Sequence, residues 1–370
     1  MLATKILSPF FFLAMRIVSI LVYLATIIAA FGGRVDPEYL TFPSLLCLAL
    51  PYFAILSIVL IIFWALCRKI IFCALGIVTI VICLTPLSDA FPLGSARKPS
   101  GRGETFKVIS WNVLHTQDIM QPDYPGNRAV EFMIESGADV VCLTELRYFS
   151  EHEIKNFTPS LRDSLFSAYP YKAGLNSTDI KVLSKFPVER MDKMKLDNGS
   201  DCRYDLFKIN FPNDKILVVA MVHLFSFGLS EEERNVVTEI NSVETAKTSM
   251  KEFKGSIRQK LRHGFRQRAE NATALRSVLD DIPADIPLIV CGDFNDVPAS
   301  WSYNIIRGDD LRDAYAETNF GPAITYNLHA FYFHIDQMLY RGPLEALDLT
   351  VGKINSSDHY PLIGEFQFQQ

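Results

Sequence analysis

A carboxylate and an amide follow an apolar run at residues 287–290, which predicts a buried strand. Gly292 breaks the run, and Asp293 and Asn295 come next. Residues two apart at the end of a strand point to the same side, so both side chains would project from the rim of a sheet. The carboxylate can take a proton from water, and the amide can hold that water or a charged oxygen. A strand followed by an ordinary turn explains the same residues, because Gly, Asp, Asn and Pro are all turn formers.

Other predicted strands also end on polar residues that could do chemistry. They are Asn112, Glu145, His223 and the pair Asp358-His359, while Asp336 stands among apolar neighbours. Each has an ordinary explanation when taken alone, such as a turn, a solvent-facing acid or a helix cap. Strand ends on one rim converge in space, however, and carboxylates, amides and two histidines together suit metal-assisted phosphoester hydrolysis.

Six short motifs occur in a fixed order between residues 106 and 366. They are Val108 to Val113, Leu143 to Glu145, Val222 to Leu224, Gly292 to Asn295, His334 to Asp336, and Ser357 to His359. This series resembles the ordered motifs of the endonuclease/exonuclease/phosphatase family. The resemblance implies an α/β fold, a four-layer α/β sandwich with two central mixed β-sheets flanked by helices. The sequence departs from the family at Thr144, where Gln is usual, and at Val113-Leu114, which weakens an assignment to DNA repair.

The resemblance implies a site for Mg²⁺, with Mn²⁺ as an alternative. Glu145 resembles the principal metal ligand of the family, Asn112 lies beside it, and Asp358 is a further candidate contact. Carboxylate and amide oxygens suit a hard cation that keeps several waters.

The resemblance also implies the catalytic roles. Asp293 would orient or deprotonate the attacking water, and Asn295 would hold that water or the phosphoryl oxygen. His359 would bind the phosphate and stabilise its charge, with Asp336 fixing the tautomer of the ring. His223 resembles a histidine that some members place near the leaving group.

Two arginines match positions at which some nucleases contact substrate phosphates. Arg147 follows Glu145 by two residues, and Arg203 opens a predicted strand. Both could equally be surface arginines.

The first part of the chain is strongly apolar and predicts a membrane domain at residues 1–88. Uncharged or nearly uncharged runs cover residues 10–31, 42–66 and 70–87, and each is long enough, or nearly so, to cross a bilayer as a helix. We therefore expect about three transmembrane helices. A cleavable signal peptide would explain the first run but not the other two.

A Gly-, Ser- and Pro-containing linker is expected at residues 89–103, followed by a catalytic domain at residues 104–370. Within that domain, a capping box at Ser230 precedes a helical pattern over residues 231–265, which predicts one long helix or two, and residues 269–279 predict a separate helix. Residues 330–341 and 362–368 predict further strands. The seven cysteines show neither metal-ligand spacing nor a disulfide pattern.

Charge gives a weak indication of orientation. With three spans, Lys5 and Arg68-Lys69 lie on the same side of the membrane, and positive charge favours the cytoplasm for that side. The catalytic domain would then lie on the extracytoplasmic side. Arg97, Lys98 and Arg102 follow the third span and oppose this orientation. Five glycosylation sequons are interpreted as chance matches in an unglycosylated bacterial protein, which we expect in the cytoplasmic membrane.

Two classes of substrate remain open. Tethering to a membrane slightly favours a phospholipid or a lipid-linked phosphate, and basic residues between 251 and 266 could rest on anionic headgroups or form an ordinary solvated face. A membrane-tethered nuclease acting on DNA or RNA is the alternative, although the net charge of −5 argues against a strong general nucleic-acid binder. A catalytically silent binding module is disfavoured because no expected catalytic position is empty. No protein partner is predicted.

Overall fold

The computed structural model describes residues 9–100, 103–118, 123–174, 179–191, 204–227, 246–328 and 331–369. The N-terminal region is helical. Its helices are α1 (Pro9–Phe31), α2 (Phe42–Cys47), α3 (Leu50–Leu66), α4 (Ile70–Ile82) and α5 (Leu84–Ala90). A single 3₁₀ turn, Gly32–Arg34, follows α1.

The prediction of three transmembrane helices is not confirmed. Among the described residues, one helix is long and apolar enough to cross a membrane, Pro9 to Arg34, and the pair α4 and α5 would be a second only if its 66° bend lies within one span. The run at 42–66 is divided because Pro51 lies in the first turn of α3, which leaves that helix with 17 residues. The run at 70–87 is bent at Cys83, because Pro86 has no N–H to donate to the carbonyl of Ile82.

Strands and further helices make up the rest of the chain. In order they are β1 (Thr105–Asn112), α6 (Arg128–Glu135), β2 (Val140–Thr144), α7 (Pro159–Ala168), β3 (Tyr171–Ala173), β4 (Lys181–Ser184), β5 (Val188–Arg190), β6 (Tyr204–Asn210), β7 (Ile216–His223), α8 (Ala246–Asp280), β8 (Leu288–Asp293), α9 (Trp301–Arg307), β9 (Arg312–Asp313), α10 (Ala314–Thr318), β10 (Tyr326–Leu328), β11 (Phe331–Phe333), β12 (Asp336–Arg341), β13 (Leu344–Val351) and β14 (Leu362–Phe368).

Two six-stranded mixed sheets form the centre of this region. One has the order β13-β14-β1-β2-β4-β3, and the other has the order β5-β6-β7-β8-β12-β9. Their facing sides share one core, in which Val108 and Cys142 of the first sheet lie with Met221 and Cys291 of the second. Along each strand, side chains that face this core alternate with side chains that face outward, because successive side chains of a strand point to opposite faces.

Helices cover the outer face of each sheet. Ile109 and Val141 pack outward with Val130 of α6. Val290 of the second sheet packs outward with Leu275 of α8. The order of layers is therefore helix, sheet, sheet, helix, in agreement with the α/β sandwich expected from the sequence.

Two expected boundaries differ from the structure. Helix α8 runs without a break across the boundary expected between residues 265 and 269, while the predicted helix start at Ser230 lies outside the described residues. The strand expected at 330–341 is interrupted between β11 and β12. Thr325 Oγ1 accepts hydrogen bonds from the backbone N–H groups of Ile335 and Asp336, which turns the chain there.

The predicted linker lies against the sandwich. Arg97 N donates to Leu347 O at 2.6 Å, and Ser100 N donates to Gln367 Oε1 at 2.9 Å. The N-terminal helices also contact the sandwich, since Asn304 Nδ2 donates to Gly33 O at 3.2 Å. Arg307 Nη1 lies 2.8 Å from Asp89 Oδ1.

Candidate active site

Four strands end at one edge of the sandwich and carry the polar residues to it. β1 and β2 are parallel neighbours, with Asn112 opposite Thr144, so Glu145 follows directly after that pair. β7 and β8 are also parallel neighbours, and His223 lies opposite Asp293. Because parallel strands end at the same edge, the facing sheets bring Asn112 and Glu145 towards His223 and Asp293.

A fifth strand and the segment before β14 complete the cluster. β12 runs antiparallel to β8 and begins at Asp336, directly opposite Asp293. Ser357 Oγ donates to Asn112 O at 2.8 Å, and Trp111 Nε1 donates to His359 O at 2.9 Å. These two bonds to β1 hold His359 beside Asp293.

The side-chain amide of Asn112 joins the two sheets. Its Nδ2 donates to Glu145 Oε1 at 2.9 Å and to Asp293 Oδ2 at 3.1 Å. Its Oδ1 accepts from Leu114 N at 3.2 Å. Asn112 and Asp293 are buried, whereas Glu145 is partly exposed, so the cluster opens to solvent on the side of Glu145.

The two histidines approach the same oxygen of Asp293. The Nε2 atom of His223 lies 3.6 Å from Glu145 Oε1 and 4.0 Å from Asp293 Oδ2. The Nε2 atom of His359 lies 3.7 Å from the same oxygen of Asp293. Each ring is held at Nδ1 by a different carboxylate, His223 by Asp179 and His359 by Asp336, both at 2.8 Å.

The carboxylates control the protonation of these rings. Burial alone would lower the pKa of His359, but the charges of Asp336 and Asp293 outweigh it and raise the pKa to about 10. Burial opposes the charged form of His223 as well, and the hydrogen bond to Asp179 leads the effects that nonetheless raise its pKa. Desolvation raises the pKa of Asp293, which the nearby imidazoles oppose.

A tight turn fixes the two residues that follow β8. Gly292 has a φ of 137°, and a Cβ there would lie 2.0 Å from Val222 O, so only glycine lets β8 lie this close to β7. Asn295 N donates to Asp293 Oδ1 at 2.7 Å, and Asn295 Nδ2 donates to Leu224 O at 3.1 Å. The second N–H of the Asn295 side-chain amide has no partner among the residues that the structure describes, and it could donate to water or to a phosphoryl oxygen.

Within the described part of the chain, two overlapping groups of side chains could hold a metal ion. The first is Glu145, His223 and Asp293, and the second is Asp293, Asp336 and His359; the candidate donor atoms of each lie within 4.8 Å of one another. Among the described residues, no Lys or Arg forms an ion pair with Glu145, Asp293 or Asp336. Such an excess of carboxylates suits a divalent cation.

The remaining predicted site residues have three different placements. Asp358 is nearly buried beside His359 but belongs to neither metal-holding group, and its Oδ1 lies 3.3 Å from Ser357 Oγ. Arg147 is exposed, and none of its contacts among the described residues reaches the cluster. Arg203 lies outside the described residues.

Three residues of the site were missed from the sequence. Asp179 precedes β4 with no motif to mark it. Asp296 is buried directly after Asn295, and its Oδ2 lies 3.9 Å from Nε of the buried Arg268. Asp296 lies next to the motif at 292–295, and this position could have identified it from the sequence. No sequence pattern indicated its pairing with Arg268 of α8.

The comparison with protein families agrees with this geometry. The model of the endonuclease/exonuclease/phosphatase family matches residues 109–359, which contain every residue of the cluster. The chain belongs to this family. Enzymes of the endonuclease/exonuclease/phosphatase family are generally metal-dependent phosphoester hydrolases, and the carboxylate and histidine groups described above could hold such a metal.

Other comparisons were less specific. A domain of unknown function, DUF8431, matches residues 10–90 of this family member, and no curated protein matched the chain. A solved endonuclease/exonuclease/phosphatase from Beutenbergia cavernae is similar at 18% identity, with 72% of each chain covered and a TM-score of 0.46.

Two further solved structures share the same range of similarity. ANGEL2, a 2',3'-cyclic phosphatase in complex with adenosine-2',3'-vanadate, is 18% identical, with 74% of this chain and 98% of that chain covered and a TM-score of 0.42. Humanized TDP2 from D. rerio is 15% identical, with 71% and 98% covered and a TM-score of 0.46.

Proposed function

We propose that this chain is a membrane-anchored, divalent-metal-dependent phosphoester or phosphodiester hydrolase. The observation that carries the proposal is the convergence of Glu145, His223, Asp293 and His359 at one edge of the sandwich. These residues are far apart in the sequence, and an ordinary turn or cap explains none of the contacts among them.

The donor set fits Mg²⁺, with Mn²⁺ as the alternative. Glu145 would be the principal ligand, Asn112 the second and Asp358 a further contact. The amide of Asn112 now directs Nδ2 to the carboxylates, and rotation by half a turn would direct Oδ1 there instead. A bound divalent cation would polarise the phosphoryl oxygen and offset its negative charge.

Asp293 and Asn295 would prepare the attacking water. Asp293 has an oxygen, Oδ2, that faces both imidazoles and Asn112, and this carboxylate would take the proton from water. Asn295 would hold the water or a phosphoryl oxygen with its second N–H. The turn at Gly292 keeps the two groups on one side.

The two histidines would stabilise the charges that develop during the reaction. His359, oriented by Asp336, would donate from Nε2 to a phosphoryl oxygen. His223, oriented by Asp179, would stand near the leaving oxygen and can donate a proton to it. We keep Arg147 and Arg203 as candidate contacts to substrate phosphates.

The anchor supports a substrate that lies in or beside a membrane. We propose that residues 1–88 form a membrane domain in the bacterial cytoplasmic membrane, with the catalytic domain on the extracytoplasmic side and a phospholipid or lipid-linked phosphate as substrate. Helix α1 supports the anchor by length and composition. The hydrogen bond from Asn304 to the carbonyl of Gly33 and the ion pair of Arg307 with Asp89 support a fixed position of the site relative to the anchor. Protease protection of the catalytic domain in intact spheroplasts would contradict the extracytoplasmic placement.

The test uses the purified full chain in detergent, freed of metal by chelation. Hydrolysis of bis-p-nitrophenyl phosphate, of phosphatidylglycerol in mixed micelles and of plasmid DNA is measured with Mg²⁺, with Mn²⁺ and without metal. We expect activity only with metal, and a loss of several orders of magnitude in Asp293→Ala. The matched control is Asp163→Ala, an exposed carboxylate on α7.

The outcomes separate the candidate functions. Activity that survives both chelation and Asp293→Ala would contradict the proposal of a metal-dependent hydrolase whose site contains Asp293. Cleavage of plasmid DNA without cleavage of the lipid would replace the lipid substrate by the nuclease alternative.

A further inference from the structure

An apolar cavity of about 310 Å³ lies between the N-terminal helices and the sandwich. Its walls include Leu48 and Ile55 from the N-terminal region and Val297, Ile324 and His334 from the sandwich. No Asp, Glu, Lys or Arg is among the described residues that line it. Its size and its apolar lining are those of a small-molecule pocket, and pockets commonly lie between two packed units.

The sandwich side of the cavity adjoins the catalytic residues. Val297 follows Asn295 by two residues, and His334 precedes Asp336 by two. Tyr326 packs in the apolar cluster that contains Leu48 and Val297, and its ring centroid lies 5.0 Å from that of His359. One aromatic ring therefore separates the cavity wall from the imidazole that would bind phosphate.

The other side of the cavity continues into the apolar surface of the anchor. Ile55 lines the cavity and is also 53% exposed. It belongs to α3, on which Leu56, Ile58, Val59 and Ile62 are exposed large apolar residues. A surface of this kind is covered by lipid chains when the anchor lies in a bilayer, so the cavity extends a lipid-facing surface towards the site.

A buried polar atom lies at the catalytic end of the cavity. Nε2 of His334 is buried and has no hydrogen-bond partner among the described residues. An unpartnered buried nitrogen is costly, and a polar group of a bound molecule that donates a hydrogen bond to it would remove that cost. The two ends of the cavity thus match the two parts of a phospholipid, a polar headgroup near the catalytic residues and an aliphatic chain beyond it.

We propose that this cavity binds an acyl chain of the phospholipid whose phosphoester is hydrolysed at the Asp293 site. The proposal rests on the proposed function, which it deepens by assigning the tail of the substrate to a place in the structure. The acyl chain lies between α3 and the segment at 322–324, and the phosphate lies beside His359 and Asp293.

Two substitutions that fill the cavity test the proposal, one from each wall. Ile55→Trp adds bulk from the anchor, and Ile324→Trp adds bulk from the sandwich. Ile58→Trp is the matched control, because Ile58 lies on the same helix with 48% exposure and does not line the cavity. Full-length proteins in nanodiscs are assayed with dioleoyl phosphatidylglycerol, with dibutyryl phosphatidylglycerol and with bis-p-nitrophenyl phosphate.

We expect both cavity variants to lower kcat/KM for the dioleoyl lipid by about tenfold or more, because each excluded methylene weakens binding about fourfold. The short-chain lipid and the soluble diester should be cleaved at the wild-type rate, and Ile58→Trp should behave as wild type throughout. Equal losses for all three substrates, or no loss for the dioleoyl lipid, would overturn the acyl-chain site and leave the hydrolase standing.

A binding measurement separates failure of this site from failure of the proposed function. A phosphatidylglycerol with a diazirine at the end of one acyl chain is photolysed with each protein, and the labelled peptides are mapped by mass spectrometry. Labelling of the segments at 48–55 and 322–324 that decreases in Ile324→Trp but not in Ile58→Trp supports the cavity, even if no substrate is hydrolysed. Labelling that is unchanged by both cavity variants refutes it, whatever the enzyme cleaves.

Discussion

The Nδ1 atom of His223 lies 2.8 Å from Oδ2 of Asp179, and this contact leaves the opposite nitrogen of the ring facing the site. His359 is held by Asp336 in the same manner. Both rings therefore present Nε2 towards Asp293, at 4.0 and 3.7 Å. The site has two carboxylate–histidine pairs around one central carboxylate, and this arrangement gives each ring a fixed orientation.

Removing the charge of Asp179 should impair hydrolysis without removing His223. We expect Asp179→Asn to lower kcat by about 10- to 100-fold, because the ring loses the partner that sets its orientation and basicity. The measurement is the dependence of kcat on pH with bis-p-nitrophenyl phosphate, and Asp163→Asn on the exposed face of α7 is the control. A wild-type pH profile in Asp179→Asn would show that the pair has no part in catalysis.

The buried pair of Arg268 and Asp296 should stabilise the segment that follows Asn295. The guanidinium of Arg268 lies over the rings of Phe227 and Phe265 at 4.0 and 4.8 Å, and its nitrogens have no hydrogen-bond partner among the described residues. We expect Asp296→Asn to lower the free energy of unfolding by about 3 kcal/mol, because a buried cation is left without a counter-charge.

A double variant separates charge from shape at this pair. Combining Asp296→Asn with Arg268→Met removes both charges and should recover most of the lost stability. Chemical denaturation followed by Trp fluorescence measures the three proteins in the same detergent. If the double variant is as unstable as Asp296→Asn, or less stable, the charge of Arg268 is not the cause.

His334 should make the folded protein less stable in mild acid. Burial lowers the pKa of His334 to about 4, against 6.5 for an ordinary histidine. Above about pH 6.5 the ring is neutral in both states and has no effect on the pH dependence. As the pH falls below that value, the unfolded chain binds the proton first, so stability decreases until the folded state is protonated as well, a total of about 3 kcal/mol.

The measurement is the melting temperature at about pH 7 and about pH 5. The wild type should lose more stability between these conditions than His334→Phe, which cannot be protonated there. Equal losses in the two proteins would mean that His334 is already solvated or charged in the folded state.

Gly33 should be required for the contact between the N-terminal region and the segment after Asn295. A Cβ on Gly33 would lie 1.8 Å from Ala299 O, a backbone atom that no side-chain rotation can remove. We expect Gly33→Ala to cost about 1–3 kcal/mol and to increase hydrogen exchange at residues 297–304. Arg34→Ala, at the exposed neighbouring position, is the control. Unchanged exchange in Gly33→Ala would show that the two regions are held together elsewhere.

Local sequence patterns were sufficient for most of the sandwich and for the chemistry of its edge. β14 lies where the sequence places it, and β1, β7 and β8 end on the polar residues expected, because an apolar run followed by a polar residue marks a strand and its end within a few residues. The six motifs, each short and local, indicated the family that the comparison identified.

Contacts between distant parts of the chain were decided by the tertiary structure. No pattern joins Asp179 to His223, Arg268 to Asp296, or Gly33 to Ala299, because each pair is brought together by the packing of separate elements. The division of the apolar runs into α2 to α5 was also decided by the tertiary structure. Prolines interrupt these helices, but the angle between successive helices depends on the elements that pack against them. The types of residue and their local order thus determined the strands and the polar groups at their ends. Burial and packing determined which partner orients each group and which cavity lies beside them, because these depend on distances that the order of residues does not contain.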